Sequence, residues 1–223
     1  RCTRLGAAAV VVMACDERGP AASCADRLRV CRRALAALTA HSTLRPADIV
    51  FDLNVPAVGA GGPDHADDAH EFLRALRRVK RECPGVHTIA GVSNVSFAFR
   101  SCAPVRRALH SVLLHLAGND LDIAIANPDT LQPFESVPDD LRELCLDIIL
   151  NRTPNATAAL TDFCVRALRN TEPAPPRETL KEIVAVSPED RVVDAITQGN
   201  ADALTDALRA MLGASLDAGT KNV

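Results

Sequence analysis

The 223-residue chain has no surplus of charge of either sign: 25 Lys and Arg stand against 28 Asp and Glu, a formal net charge of −3. Without a basic field nothing draws in nucleic acid or an anionic membrane surface nonspecifically, so neither is expected as a partner. No apolar run reaches the roughly 18 residues of a transmembrane helix, and no leader pattern opens the sequence. The eight cysteines, Cys2, Cys15, Cys24, Cys31, Cys83, Cys102, Cys145 and Cys164, include no C-x-x-C pair. Most fall inside apolar patterns, where a thiol acts as a small hydrophobe, and the expectation is a cytoplasmic protein in a reducing compartment. What is abundant is apolar: 48% hydrophobic against 24% charged residues, the balance of a globular protein able to bury a core. The sequence starts at Arg1 rather than Met, which suggests a piece of something longer.

Apolar runs of strand length recur at 6–14 (GAAAVVVMA), 48–53 (DIVFDL), 86–92 (VHTIAGV) and 121–126 (LDIAIA), each followed by a helical pattern. In the first helix Leu28, Cys31, Leu35 and Leu38 share a face; in the second it is Phe72, Leu73, Leu76 and Val79, ended by Pro84-Gly85. A third opens at Pro104, a residue favoured in the first helical turn, and stripes Val105, Leu109, Val112, Leu113 and Leu116. The fourth begins near Pro138. Strands apolar throughout, alternating with amphipathic helices, predict a parallel sheet covered on at least one face. Four βα units make half of a TIM-type (β/α)₈ barrel; an open four-stranded sheet is the rival arrangement. The expected division is therefore a partial (β/α) barrel over 1–150, a helix and Pro-rich linker over 151–178, and a helical appendage over 179–223.

In parallel α/β folds the chemistry sits at the carboxyl ends of strands. Asp52 stands at the end of the second strand, with Asn54 two residues on, and Asn94 stands just past the third in GVSN. A carboxylate in an apolar strand costs desolvation energy unless a donor pairs with it, and a heterocycle with adjacent ring N–H and amino groups supplies two parallel donors. Pterins have that edge. The Asn94 amide offers both a donor and an acceptor, so it can follow a ring nitrogen whose protonation changes. Arg100 and Arg106, on either side of the N-terminus of the helix that opens at Pro104, suit a carboxylate tail or phosphate. Three of these also have a plainer reading: Asp52 as a turn former or helix cap, Asn94 as an Asx-turn residue, Arg106 as a solvated helical residue.

Residues 5–165, through FDLN, GVSNVSFAFR and VRRALHSV in that order, resemble the pterin-binding (methyltetrahydrofolate) domain of cobalamin-dependent methionine synthase, in its C-terminal half. The resemblance implies that Asp52 and Asn94 contact the pterin of 5-methyltetrahydrofolate and that Arg100 and Arg106 contact the rest of the folate. It also implies methyl transfer to cobalamin on the route to methionine, with Asn94 and Asp52 as the catalytic residues. SPEDRVVDAITQGNADALTDAL, in 179–223, is similar to the opening helices of the domain that caps cobalamin in those enzymes. The partners implied are a small-molecule folate, a cobalamin-binding domain and the missing half of the barrel.

The chain departs from that pattern at Leu53, where the family usually has Pro, and at Ala90, where it has Gly; one residue fewer precedes LDIAIAN. The cobalamin-ligating D-x-H-x-x-G motif is absent: DAHEFL at Asp68 to Leu73 copies only its first half, and its context makes His70 a surface or rim residue. His41, His87, His110 and His115 are scattered without partners at ligand spacing, so no metal site is expected. Two other readings stand beside the methyltransferase: a noncatalytic half-barrel acting as a binding or scaffold module, and a pterin transferase of dihydropteroate-synthase-like fold.

Overall fold

The structure, a computed structural model, describes residues 9–170 together with Val192 and Leu208. The chain divides into two units, Arg1–Glu172 and Pro173–Val223, and every element below belongs to the first. Cys2 and, apart from those two residues, the stretch expected to resemble a cobalamin cap lie outside the described residues.

Strand β1 (Val10–Met13) is followed by a short antiparallel pair, β2 (Cys15–Asp16) and β3 (Gly19–Pro20). Helix α1 (Cys24–His41) leads to β4 (Ile49–Asp52), α2 (Asp68–Glu82) to β5 (His87–Gly91), and α3 (Ala103–Ala117) to β6 (Ile123–Ile125). Helices α4 (Asp139–Leu150) and α5 (Ala156–Asn170) complete the unit. The expected strands and helices are present with ends shifted by a few residues. The stretch after β5 winds into 3₁₀ turns over Val92–Phe99, broken only by non-helical angles at Ser96.

The four long strands form one parallel sheet in the order β1-β4-β5-β6. Each new strand adds to the same edge, with helices packed on one side. That is the winding of a (β/α) barrel, whereas a doubly wound sheet reverses its strand order. The expected partial TIM-type barrel is therefore the architecture found.

Strand periodicity sorts side chains onto two faces. Ile49 and Phe51 of β4, Leu53 just after it and Ala90 of β5 are wholly buried in the core, with Phe72, Leu76 and Val79 of α2 and Leu109 and Val112 of α3. The register aligns the alternate residues Val11, Met13, Val50, Asp52, Ile89, Ile123, Gly91 and Ile125 on the opposite face, where the barrel interior would lie. There Val11 is 59% and Met13 56% exposed on edge strand β1 and Ile125 61% on edge strand β6, whereas Val50 of central β4 is buried and Asp52 and Ile89 are half-buried.

The core takes in most of the thiols. Cys24, Cys31, Cys83, Cys102, Cys145 and Cys164 are buried and free, and among the described residues only Cys15 is exposed. Burial pushes the Cys31 and Cys145 thiols up to about 12, so both stay protonated and act as apolar filler. Among the described residues no helix is long and apolar enough to cross a membrane.

Candidate functional site

Asp52 closes β4, and its side chain alternates with those of Phe51 and Leu53, so it leaves the helix-packed core and joins the bare face in register with Met13. One carboxylate oxygen, Oδ1, accepts a hydrogen bond from the Asn54 backbone N–H at 2.9 Å, making the turn that the plainer reading foresees. Asn54 sits at φ 57°, a left-handed conformation that Asn tolerates better than most residues. Its amide donates to the Ala14 carbonyl at 3.3 Å, while the Ala14 N–H donates to the Asp52 carbonyl at 2.7 Å. The half-buried carboxylate is thereby fixed through one oxygen, and its Oδ2 has no partner among the described residues.

Asn94 lies in the 3₁₀ segment directly after β5. It is exposed, and its amide has no hydrogen-bond partner among the described residues. A Cβ built on Gly91 would come within 3.9 Å of its Nδ2. Gly91 shares the face of Ile89, two residues earlier in the strand, so the amide leans over the bare face on which Asp52 stands. The two segments are also tied directly: the Val58 N–H, in the loop after Asp52, donates to the Val95 carbonyl at 3.1 Å. Gly59, at φ +72°, lets that loop run so close to Phe99 that a Cβ would sit 3.1 Å from its ring. Asp52 and Asn94, expected from neighbouring βα units, are thus at one rim of the sheet and on one face of it.

Arg100 ends the same segment, exposed, with its guanidinium 5.2 Å over the ring of Phe97. Arg106 is half-buried in the first turns of α3, a helix with no acidic residue in its first turn and no side-chain cap. Neither arginine has a carboxylate partner among the described residues, whereas Arg29, Arg32, Arg33, Arg45, Arg74 and Arg78 all do. An unpaired guanidinium beside an open rim is available to an anion.

Residues matched by the family model for pterin binding enzymes run from 2 to 126, more than half of the chain. The chain belongs to the pterin-binding enzyme family. All four barrel strands fall within the matched stretch, as do Asp52, Asn94, Arg100 and Arg106. Pterin-binding domains are TIM barrels, and the arc described here is part of one. The two substitutions noted in the sequence sit away from this rim's open face: Leu53 and Ala90 are wholly buried on the helix-packed side.

His70 is 41% exposed on α2, with its Nδ1 3.4 Å from an Asp67 carboxylate oxygen. Among the described residues no group of three or more His, Cys, Asp or Glu is placed to hold a metal ion.

Two residues that sequence reasoning did not single out support this rim of the pterin-binding fold from below. Arg27 of α1, buried in the core, donates through Nε to the Leu53 carbonyl at 3.0 Å and through Nη1 to the Ala22 carbonyl, bracing the chain next to Asp52. His110 of α3 reaches Ser96 beneath the Asn94 turn. No local signal marks either pairing, because the partners are 26 and 14 residues apart.

Proposed function

We propose that the chain binds 5-methyltetrahydrofolate, with Asp52 and Asn94 on the pterin and Arg100 and Arg106 on the benzoyl-glutamate end, as the folate half of a methionine-synthase-type methyl transfer. The single observation that supports this most is the pair of uncommitted polar groups at one rim: Asp52 Oδ2 and the Asn94 amide, both on the face away from the helices. With Oδ2 free and Oδ1 keeping a second lone pair beside its bond from Asn54, the carboxylate accepts from the N–H and amino edge of a pterin, one donor to each oxygen, without having to reorganise. Asn94, whose amide gives and accepts, serves a nitrogen that changes protonation.

The chemistry asked of these residues is modest. A tertiary amine is a poor leaving group, so N5 has to be protonated or strongly hydrogen-bonded before a nucleophile takes its methyl. Asn94 supplies that assistance by a hydrogen bond that strengthens as the proton arrives, and Asp52 fixes the ring plane. Catalysis here is positioning and electrostatics, with no protein nucleophile. The methyl acceptor, cobalamin, has no ligand set among the described residues: His70 lies on the surface of α2 and pairs with Asp67. The described residues supply the folate side of the reaction.

The exposed apolar residues Val11, Met13, Ile123 and Ile125 argue that a further set of βα units, from the same polypeptide or another, meets this face to close the barrel. This bare face is also what favours the second reading, a half-barrel kept as a noncatalytic binding module.

Titration of the chain with 5-methyltetrahydrofolate, beside Asp52→Ala and Asn94→Ala, tests the site. Saturable binding that either change weakens by about 1 to 3 kcal/mol is expected for a lost buried hydrogen bond. Three proteins with one affinity, or none with saturable binding, would refute the reading.

A further inference from the structure

Directly under the Asn94 turn lies a buried imidazole that the chemistry above does not use. His110 and Ser96 are each 1% exposed, and His110 Nε2 stands 2.8 Å from Ser96 Oγ. The Ser96 hydroxyl in turn lies 3.2 Å from the Ser93 carbonyl. That contact spans the turn with Asn94 inside it, at the point where Ser96 (φ −102°, ψ 15°) breaks the 3₁₀ run.

A hydroxyl has one proton. If Ser96 gives it to the Ser93 carbonyl, the oxygen can only accept from His110, which places the imidazole proton on Nε2. On the ring's other side the Thr130 hydroxyl, in the segment after β6, lies 3.4 Å from Nδ1 and 2.8 Å from the Asn127 carbonyl, and can turn its proton to either. Burial, with Arg106 nearby, pulls the His110 pKa below its ordinary value and favours the neutral ring. His110 is carried on α3 between wholly buried Leu109 and Val112, so the donor is held by the core while the turn it holds is at the surface.

We propose that His110 is a positioning residue for Asn94: its Nε2–H donates to Ser96, Ser96 donates to the Ser93 carbonyl, and this two-bond chain fixes the turn that aims the Asn94 amide over the sheet end. The inference rests on the reading of Asn94 as a pterin contact. A surface turn of four residues has many conformations of similar energy, and an amide that must meet one ring nitrogen gains from having its backbone set before the ligand arrives.

The experiment is a titration of the full chain with 5-methyltetrahydrofolate in two backgrounds, wild type and Asn94→Ala. In the first, His110→Leu and Ser96→Ala each weaken binding about five- to tenfold, the loss of roughly one hydrogen bond. The double variant is no weaker than either alone, because both cut one chain. His110→Gln, whose amide can donate near the Nε2 position, restores most of the affinity. In the Asn94→Ala background the His110 and Ser96 changes have no further effect. Equal losses in both backgrounds mark a general structural role and overturn the proposal. If His110→Leu does not fold, Ser96→Ala, which alters one small side chain, carries the same comparison. Wild-type affinity in His110→Leu and Ser96→Ala beside a weakened Asn94→Ala removes the positioning role alone; wild-type affinity in Asn94→Ala removes the pterin reading and this one with it.

Discussion

The two faces of the β1-β4-β5-β6 sheet are made of much the same residues and are covered unequally. On one, Ile49, Phe51, Leu53 and Ala90 are sealed under the helices; on the other, Val50 of central β4 is buried while Val11 and Met13 of edge strand β1 and Ile123 and Ile125 of edge strand β6 stand open. The strands are apolar on both sides because a parallel sheet is built to be covered on both. The open face is therefore unfinished rather than polar, and the candidate site occupies its rim, where Asp52 interrupts the apolar column. Among the described residues the polar side chains that are buried, Arg27, Thr88, Ser96, His110 and Ser111, lie in the core or in segments packed on it, and each has a hydrogen-bond partner.

The contrast can be broken in several places. Phe51→Ala, in the sealed face, removes a wholly buried ring and is expected to cost about 3 to 5 kcal/mol in chemical denaturation. Arg27→Met keeps the volume but deprives the Leu53 and Ala22 carbonyls of their donor. An expected loss of about 1 to 3 kcal/mol would appear in the same measurement, with weakened pterin binding if the brace beside Asp52 matters.

Acid should act in two windows. The folded state holds His110 below its ordinary pKa of 6.5, so the unfolded chain binds the extra proton and stability falls as pH drops below 6.5. Glu82 is drawn from its ordinary 4.5 down to about 2 by hydrogen bonds from Arg78 and Arg81, so its contribution is present above pH 4.5 and lost as pH falls toward 2. Thermal melts across pH, with His110→Gln and Glu82→Gln, separate them: the first flattens the upper window, and the second makes the lower one shallower, since Asp16 and Asp48, each also held down to about 2, share it.

The smallest effect belongs to the open face. Ile125→Ser should change stability by no more than about 0.5 kcal/mol, as for an ordinary surface position, while reducing self-association in sedimentation. A loss of several kcal/mol would mean that this face is covered in the folded chain.

Much of this was written locally. The alternation of apolar strands with helical stripes gave the units, Pro104 and Pro138 marked helix starts that fall at α3 and α4, and the position of Asp52 and Asn94 at successive strand ends followed from chain order. The 3₁₀ turns over Val92–Phe99 were not legible, since Ser, Asn and Phe in succession suit an irregular loop equally well. Nor was His110, which in sequence is one scattered histidine beside an apolar stripe.

Periodicity and residue type alone determined that strands and helices alternate here and that two polar side chains end neighbouring strands, because those properties depend on near neighbours in the chain. Only the tertiary structure decided which face each strand seals, that Arg27 braces the end of β4, and that His110 meets Ser96. Those outcomes depend on register and helix docking, which bring together groups that no local pattern pairs.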